Sequence, residues 1–202
     1  MASVKAGRMN LPGMREEECF AWAAGGAAGS QEYLQGLVRQ ARFDVSRQLA
    51  EPANTDRLQW LFEHLRQICV ELGFFVSQLH GECTHQTCPV MRANETTYYC
   101  AGNHGHPRPC SAIAYAVHTL DFAERQLSRA GGEQLSLRHF QSMVRRLYRV
   151  FGHAYFHHRE LFERRESATY LYARFVRLAR KYELAPESQI IIPDLPTTVE
   201  PQ

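Results

Sequence analysis

The chain has 202 residues, of which 45% are hydrophobic and 22% are charged, as is typical of one ordinary globular domain with its own core. The formal net charge of +2 excludes a global basic field for nucleic acid or an anionic membrane, so any electrostatic function requires a local cluster. No apolar run reaches the roughly 18 residues that a transmembrane helix needs. The N-terminus lacks the apolar core of a secretory signal, which predicts a cytosolic or nuclear protein whose six cysteines are free thiols or metal ligands.

The two ends of the chain have the composition of irregular segments. Residues 1–30 are rich in glycine and alanine without a hydrophobic period, which predicts a flexible arm. Within it, Cys19, Phe20 and Trp22 can either pin the arm to the domain or stay exposed. Residues 196–202 are predicted to be an irregular tail. The folded domain is therefore expected over residues 31–195.

Residues 31–195 carry the hydrophobic periods of five or six helices. The first stripe starts at Gln31 and is stopped by Pro52, and the second, which is wide enough for a central helix, ends near Leu79. The third ends near Gly131, and the last runs to Tyr182. The predicted N-caps are Asn54, Thr55 or Asp56 for the second helix, Ser111 for the third, Ser136 for the fourth, and Glu166 or Ser167 for the last. The fold class is all-α.

One long connection interrupts the helices. Between Gly81 and Pro109 the helical period disappears, and cysteine, histidine and turn-forming residues take its place. The β propensity of Thr96–Tyr99 predicts a short hairpin there. A connection of this length in a compact domain needs something other than the core to hold it.

Two cysteines and three histidines have the spacing of a metal site. Cys83 and Cys88 form a Cys-x4-Cys pair, at the upper edge of the usual zinc spacing, and His153, His157 and His158 follow downstream. Two thiolates and two imidazoles make a closed tetrahedral set, so we expect one structural Zn²⁺ per chain that ties the connection to a helix. The alternative is that these are ordinary helix and core residues.

The spacing leaves open which histidines would bind. A straight helix advances about 100° per residue, so His153 and His157 share a face while His158 lies about 140° from His153. Helix geometry alone therefore favours His157. His158 would require a bend or break between Gly152 and His158.

A second group, Cys100, His104, His106 and Cys110, has enough donors to bind a metal by itself. Cys100 follows an aromatic pair, however, which favours a buried core residue over a metal ligand. An enzymatic zinc is disfavoured because His-Glu-x-x-His and the paired cysteines of deaminases are absent, as are a phosphate loop and a nucleophile elbow. We expect no catalysis; the alternative, a zinc hydrolase, requires a metal with an exchangeable water.

A basic cluster lies before the histidines. Arg145 and Arg149 are four residues apart on one helix face with Arg146 on its flank, so three guanidinium groups can converge on a phosphate. The alternative is a solvated helix face. Nucleic acid is disfavoured by the near-neutral net charge and by the lack of interleaved aromatic residues.

Several of these stretches resemble the Mob/phocein family, most closely its phocein branch. The resemblance extends from about Cys19 to Leu195. It is carried by EHLRQICVEL (63–72), by Glu82 and Cys83 with Cys88, by YAVHTLD (115–121) and by RRLYRVFGHAYFHHRELF (145–162).

The resemblance implies a zinc-stabilised four-helix-bundle core with flanking helices and one long irregular or hairpin connection. It implies a break after Gly152, because the family's ligands map onto Cys83, Cys88, His153 and His158. It also maps a phosphopeptide pocket onto Arg145, Arg146 and Arg149.

The function that the resemblance implies is that of a non-catalytic adaptor in striatin–phosphatase–kinase (STRIPAK) assemblies, with striatin-type scaffolds and phosphorylated Ser/Thr peptides of Ste20-type kinases as partners. It further implies a cytoplasmic protein that reaches Golgi or other membranes only through partners. The alternative is a coactivator of NDR/LATS kinases in Hippo-like signalling. That branch typically has an acidic first helix, whereas residues 31–50 are mixed and slightly basic.

Overall fold

The computed structural model describes residues 15–20, 29–100, 106–129 and 136–195. These residues are mostly α-helical, so the all-α prediction is confirmed. The described residues form seven α-helices, a two-stranded hairpin and two short 3-10 segments at Glu16–Phe20 and Glu187–Gln189. The elements are α1 (Ser30–Gln40), α2 (Val45–Gln48), α3 (Arg57–Leu79), β1 (Arg92–Ala93), β2 (Thr96–Thr97), α4 (Ala112–Arg129), α5 (Leu137–His157), α6 (Arg159–Thr169) and α7 (Leu171–Lys181).

Four of these helices enclose the core. Helix α3 packs against α4 and α7, and α4 packs against α5. Helices α5 and α7 meet through Phe151 and Phe175, whose ring centroids lie 4.8 Å apart. The expected four-helix core therefore consists of α3, α4, α5 and α7, with α1, α2 and α6 on its flanks. None of the helices in the described ranges combines the length and apolar character that crossing a bilayer requires.

The predicted caps begin three of the core helices. The Asp56 carboxylate accepts a hydrogen bond from the Gln59 backbone N–H at 2.8 Å at the start of α3. The Ser111 hydroxyl accepts from the Ala114 N–H at 3.3 Å before α4, and Ser136 is the N-cap of α5. These starts are predictable because a cap satisfies backbone groups only two or three residues away.

The helical pattern from Gln31 to Pro52 does not form one continuous helix. Helix α1 ends at Gln40, and α2 begins after Asp44, whose carboxylate accepts from the Arg47 N–H at 2.9 Å. Asp44 thus caps a new helix inside this stretch, although the hydrophobic period continues across it.

The last helix begins later than predicted. Glu166 and Ser167 lie inside α6, a helix that the sequence pattern did not indicate. The Glu166 carboxylate nevertheless caps α7, since it accepts from the backbone N–H groups of Tyr172 at 2.7 Å and Ala173 at 2.9 Å. The predicted N-cap position is therefore wrong, because the N-cap of α7 is Tyr170 and Glu166 reaches the start of α7 from the preceding helix.

Part of the N-terminal region packs on the domain. Cys19 is fully buried, and its carbonyl accepts a hydrogen bond from the Gln67 side-chain amide at 3.2 Å. Phe20 packs against a small apolar cluster that includes Leu34 and Trp60. Residues 1–14, 21–28, which include Trp22, and 196–202 lie outside the described residues, so the domain limits at 31 and 195 stay predictions.

The connection between α3 and α4 contains the predicted hairpin. Strands β1 and β2 are antiparallel with Arg92 opposite Thr97, and Asn94 in their turn has a φ of 51°, in the left-handed region that asparagine tolerates. Strand β1 packs directly on α5 at Gly152, where an added Cβ would lie 3.0 Å from the Cβ of Ala93.

The helix break expected between Gly152 and His158 is present, and it falls at the far end of that range, at His158. Helix α5 continues through this glycine and ends at His157. Gly152 is needed for the close approach of β1, because any larger side chain would meet Ala93.

Candidate metal centre and arginine cavity

Four of the predicted ligand residues lie together where the connection meets the C-terminal part of α5. The potential ligand atoms of Cys83, Cys88, His153 and His158 all lie within 4.8 Å of one another. Cys83 follows α3 in a turn in which its N–H donates to the Leu79 carbonyl at 2.7 Å. The structure thus brings together the set that the family resemblance implies, and we name it the first cluster.

The separations within the first cluster fit a tetrahedral metal. The Sγ of Cys83 lies 3.4 Å from the Nε2 of His153, and the Sγ of Cys88 lies 3.4 Å from the Nε2 of His158. Two such ligands on one zinc, with bonds of about 2.3 and 2.0–2.1 Å, would stand about 3.6 Å apart. A metal can therefore enter with only small side-chain movements.

His153 is held in the tautomer that a metal requires. Its Nδ1 lies 2.7 Å from the Arg92 carbonyl oxygen and therefore donates to it, so the Nε2 lone pair points toward Cys83. Burial lowers the pKa of His153 to about 4, although the contact with the Arg92 carbonyl opposes this shift. The imidazole is consequently neutral at pH 7, as a metal ligand must be.

The thiol at the centre of the first cluster is protonated when no metal is bound. Burial and, to a smaller extent, the neighbouring Cys88 together raise the pKa of Cys83 to about 12. A bound divalent cation reverses this balance by stabilising the thiolate. Metal binding must therefore release a proton from Cys83, and metal affinity falls as the pH falls.

A one-residue interruption selects His158 over His157. Helix α5 ends at His157, and His158 has φ −138° and ψ 52°, outside helical geometry. Its Nε2 thereby turns to Cys88, while its Nδ1 lies 3.7 Å from a Glu82 carboxylate oxygen. His157 is exposed and stacks on His153 with 4.9 Å between ring centroids. Helix periodicity favours His157 only if the helix continues straight through residue 158, and α5 ends before that residue.

Two of the three predicted arginines line a small surface cavity. Arg149 is held by two aromatic side chains: its Nη1 donates to the Tyr115 hydroxyl at 2.6 Å, and its guanidinium lies 4.6 Å from the Tyr98 ring centroid. Arg146 lies 4.2 Å from the ring centroid of Phe122. Within the described chain, the lining consists of Tyr99, Cys100, Tyr115, His118, Thr119, Arg146 and Arg149, a set with no carboxylate.

Arg145 stands apart from this cavity. It is exposed on α5 and is absent from the cavity lining within the described residues. Spacing alone grouped Arg145 with Arg149, but the cavity forms on the side of α5 that faces α4 and the connection. The binding of a phosphate by these arginines stays a prediction.

The chain matches the model of the Mob1/phocein family over residues 38–193, a range that includes the first cluster and all three arginines. The chain belongs to the Mob1/phocein family. It is 35% identical to "MOB-like protein phocein" of Caenorhabditis elegans over 96% of this chain and 93% of that protein. It is also 35% identical to "MOB kinase activator-like 4" of Drosophila melanogaster, over 92% and 89% of the two chains. A partial match to "DBF2 kinase activator protein MOB1" of Saccharomyces cerevisiae has 32% identity over 53% of this chain and 38% of that protein.

This Mob1/phocein chain also has a second cysteine–histidine group. The potential ligand atoms of Cys100, Cys110 and His118 lie within 4.8 Å of one another, and we name them the second cluster. His106 is exposed and does not belong to it, and His104 lies outside the described residues. His118 was not recognised from the sequence because it lies in α4, beyond the usual spacing of zinc ligands in one loop.

Proposed function

We propose that this protein is a non-catalytic signalling adaptor that binds phosphorylated Ser/Thr peptides and associates with protein kinases. The observation that carries the proposal is the cavity in which aromatic side chains position Arg146 and Arg149. Its chemistry favours a phosphate, because arginine binds phosphate oxygens in a bidentate manner and no carboxylate of the described lining competes.

The arginines are arranged before any ligand arrives. The Tyr115 hydroxyl and the Tyr98 ring hold Arg149, so little side-chain freedom is lost when a phosphate binds. Arg145 is exposed on the same helix and would add positive charge at the edge of the site rather than in the cavity. Its contribution should therefore be the smallest of the three.

In this proposal the metal has a structural role. Cys83, Cys88, His153 and His158 would bind one Zn²⁺, the metal that a Cys2His2 set suits best. Four protein ligands leave no position for an activated water, which supports an adaptor over a zinc hydrolase. The metal would instead fix the connection 80–111 against α5, and so help to shape the surface that partners meet.

We infer kinase association from the relatives, two of which are named as kinase activators. The full-length similarity to a phocein favours a STRIPAK subunit with a striatin-type scaffold and Ste20-type kinases as partners. The second candidate is a coactivator of NDR-type kinases. Helix α1 carries Glu32 and Arg39 rather than an acidic surface, which favours the first candidate. The protein would act in the cytoplasm and reach Golgi or other membranes only through partners.

A peptide-binding experiment tests the phosphate site. We expect a phosphothreonine peptide to bind more tightly than its unphosphorylated twin, as measured by fluorescence anisotropy. Arg149→Ala should weaken this binding by about 10- to 100-fold, since a charge-assisted hydrogen bond contributes about 1.5–3 kcal/mol. Arg138→Ala, an exposed substitution on the same helix, is the matched control. Equal binding of both peptides, or unchanged binding by an Arg146→Ala/Arg149→Ala variant, would contradict the proposal.

Affinity purification followed by mass spectrometry separates the two candidate assemblies. A STRIPAK subunit should recover a striatin-type scaffold together with a Ste20-type kinase. Recovery of an NDR-type kinase without a striatin would favour the coactivator.

A further inference from the structure

We propose that Cys100, Cys110 and His118 bind a second Zn²⁺, which forms part of the wall of the arginine cavity. This inference goes beyond the proposed function and does not depend on it, because the number of bound metals can be measured without any peptide ligand.

The geometry of the second cluster matches that of the first. The Sγ of Cys100 lies 3.4 Å from the Nδ1 of His118, the same sulfur–nitrogen separation as in both pairs of the first cluster. The Sγ of Cys110 completes a set of three ligand atoms within 4.8 Å. Cys100 is only 4% exposed, so a metal bound to it would be shielded on that side.

Backbone hydrogen bonds hold the two cysteines in place, and the Cys110 thiol also contacts that of Cys100. Cys100 and Arg108 form an antiparallel bridge, in which the Cys100 N–H donates to the Arg108 carbonyl at 2.9 Å and the Arg108 N–H donates back at 3.0 Å. The Cys110 carbonyl in turn accepts from the Met91 N–H at 2.9 Å. The two sulfurs are thus brought together by a framework that does not require a bond between them, as in a preformed metal site.

The donor set points to zinc. Two thiolates and one imidazole are borderline or soft ligands, which suit Zn²⁺ and disfavour Mg²⁺ and Ca²⁺. Three protein ligands leave one tetrahedral position, which a water or another donor can fill.

The second cluster borders the arginine cavity. Cys100 and His118 both line it, together with Arg146 and Arg149. A metal joining Cys100 to His118 would fix the tyrosine pair Tyr98–Tyr99 relative to α4, because Tyr99 precedes Cys100 directly. The site would therefore set the shape of one wall of the cavity.

Native mass spectrometry of the full chain tests the proposal. The protein is purified with a reductant, saturated with Zn²⁺ and desalted; we expect two zinc ions per chain. His118→Asn should retain one, and so should Cys110→Ser. Cys69→Ser, which changes a half-buried cysteine outside both clusters, is the matched control and should retain two. One zinc in the unsubstituted chain, or two in His118→Asn, would overturn the proposal.

A second measurement on the unsubstituted chain covers the case in which a variant fails to fold. Substitution with ¹¹³Cd should give two cadmium signals in the NMR spectrum, one for each cluster. A single signal would overturn the proposal. A chain mass lower by two hydrogens, even after purification with reductant, would overturn it in favour of a disulfide between Cys100 and Cys110.

Discussion

The two cysteine–histidine clusters have the same sulfur–nitrogen separation of 3.4 Å, but the residues that they join are separated by different numbers of positions in the sequence. In the first cluster Cys83 contacts His153, 70 positions away, so it joins the connection to α5. In the second, Cys100 contacts His118, only 18 positions away. Because closing a longer loop removes more entropy from the unfolded chain, a metal in the first cluster should stabilise the fold more. We therefore expect a metal in the first cluster to support the tertiary structure, and one in the second to shape a wall of the arginine cavity.

The clusters also differ in the groups around their ligands. The first has four donors, and the Arg92 carbonyl orients His153 while Glu82 lies beside His158. The second offers three donors among the described residues. Outer partners of this kind raise metal affinity, so the first cluster should bind its metal more tightly.

The largest expected effect comes from removing the first metal. Cys83→Ser should abolish binding there and lower the free energy of unfolding by several kcal/mol, because structural zinc contributes on the order of 10 kcal/mol in small zinc domains. Urea denaturation followed by circular dichroism, with metal analysis, measures this loss. Cys69→Ser should keep both the metal and most of the stability. If Cys83→Ser unfolded at the same urea concentration as the unsubstituted protein, a metal in the first cluster would have no structural role.

A chelator should remove metal from the two clusters at different rates. A colorimetric chelator is expected to remove one zinc quickly from the second cluster and the other slowly from the first, since three protein ligands hold a metal less firmly than four. The fast phase should be missing in His118→Asn. Release of both ions in one phase would mean that the clusters are equivalent, and the comparison would fail.

The next effect concerns the contact of β1 with α5 beside the first cluster. Gly152→Ala should destabilise the fold by about 1 kcal/mol or more, because the new Cβ meets Ala93 at 3.0 Å and the hairpin is held by the contact of the Arg92 carbonyl with His153. Gly36→Ala is the matched control: nothing lies within 4 Å of its added Cβ, so helix propensity should stabilise it by up to about 1 kcal/mol.

A double-mutant cycle shows whether the Gly152 contact is the cause. Adding Ala93→Gly to Gly152→Ala should recover part of the loss, with a coupling of about 0.5–1 kcal/mol measured by urea denaturation. Zero coupling would place the strain elsewhere in α5.

The smallest effect is expected for the outer partner of His158. Glu82→Gln should lower metal affinity by less than about tenfold, because the carboxylate is exposed and lies 3.7 Å from the ring nitrogen. Competition with a chelator of known affinity measures the change. Glu160→Gln, at an exposed position of α6, should have no effect. A larger loss of metal affinity in Glu82→Gln would show that His158 depends on Glu82 as much as His153 depends on the Arg92 carbonyl.

Much of the fold was predictable because its signals are local. The hydrophobic stripes and the caps at Asp56, Ser111 and Ser136 involve residues within a few positions of one another, and these helices start where predicted. Helix α6 was missed because three of its four buried residues, Arg165, Glu166 and Thr169, are polar, so its buried side has no apolar stripe.

The candidate sites were predictable in composition but only partly in membership. A Cys-x4-Cys pair in a long connection, with histidines downstream, indicates a metal without any knowledge of the fold. Arg145, Arg146 and Arg149 were likewise grouped from their spacing, but the exposure of Arg145 depends on how α5 packs against α4. Helix periodicity gives the directions of the side chains of one helix relative to one another. It does not say which face of the helix packs against neighbouring helices.

The sequence by itself determined the helical class, the caps of three core helices and the presence of thiolate and imidazole donors, because each depends on near neighbours in the chain. Residue spacing left the choice between His157 and His158 open and the family resemblance implied His158; the tertiary structure gives the reason, since the helix ends between them. Only the tertiary structure decided that His118, from a separate helix, approaches Cys100. Both outcomes depend on contacts between distant segments, and residue spacing carries no information about those.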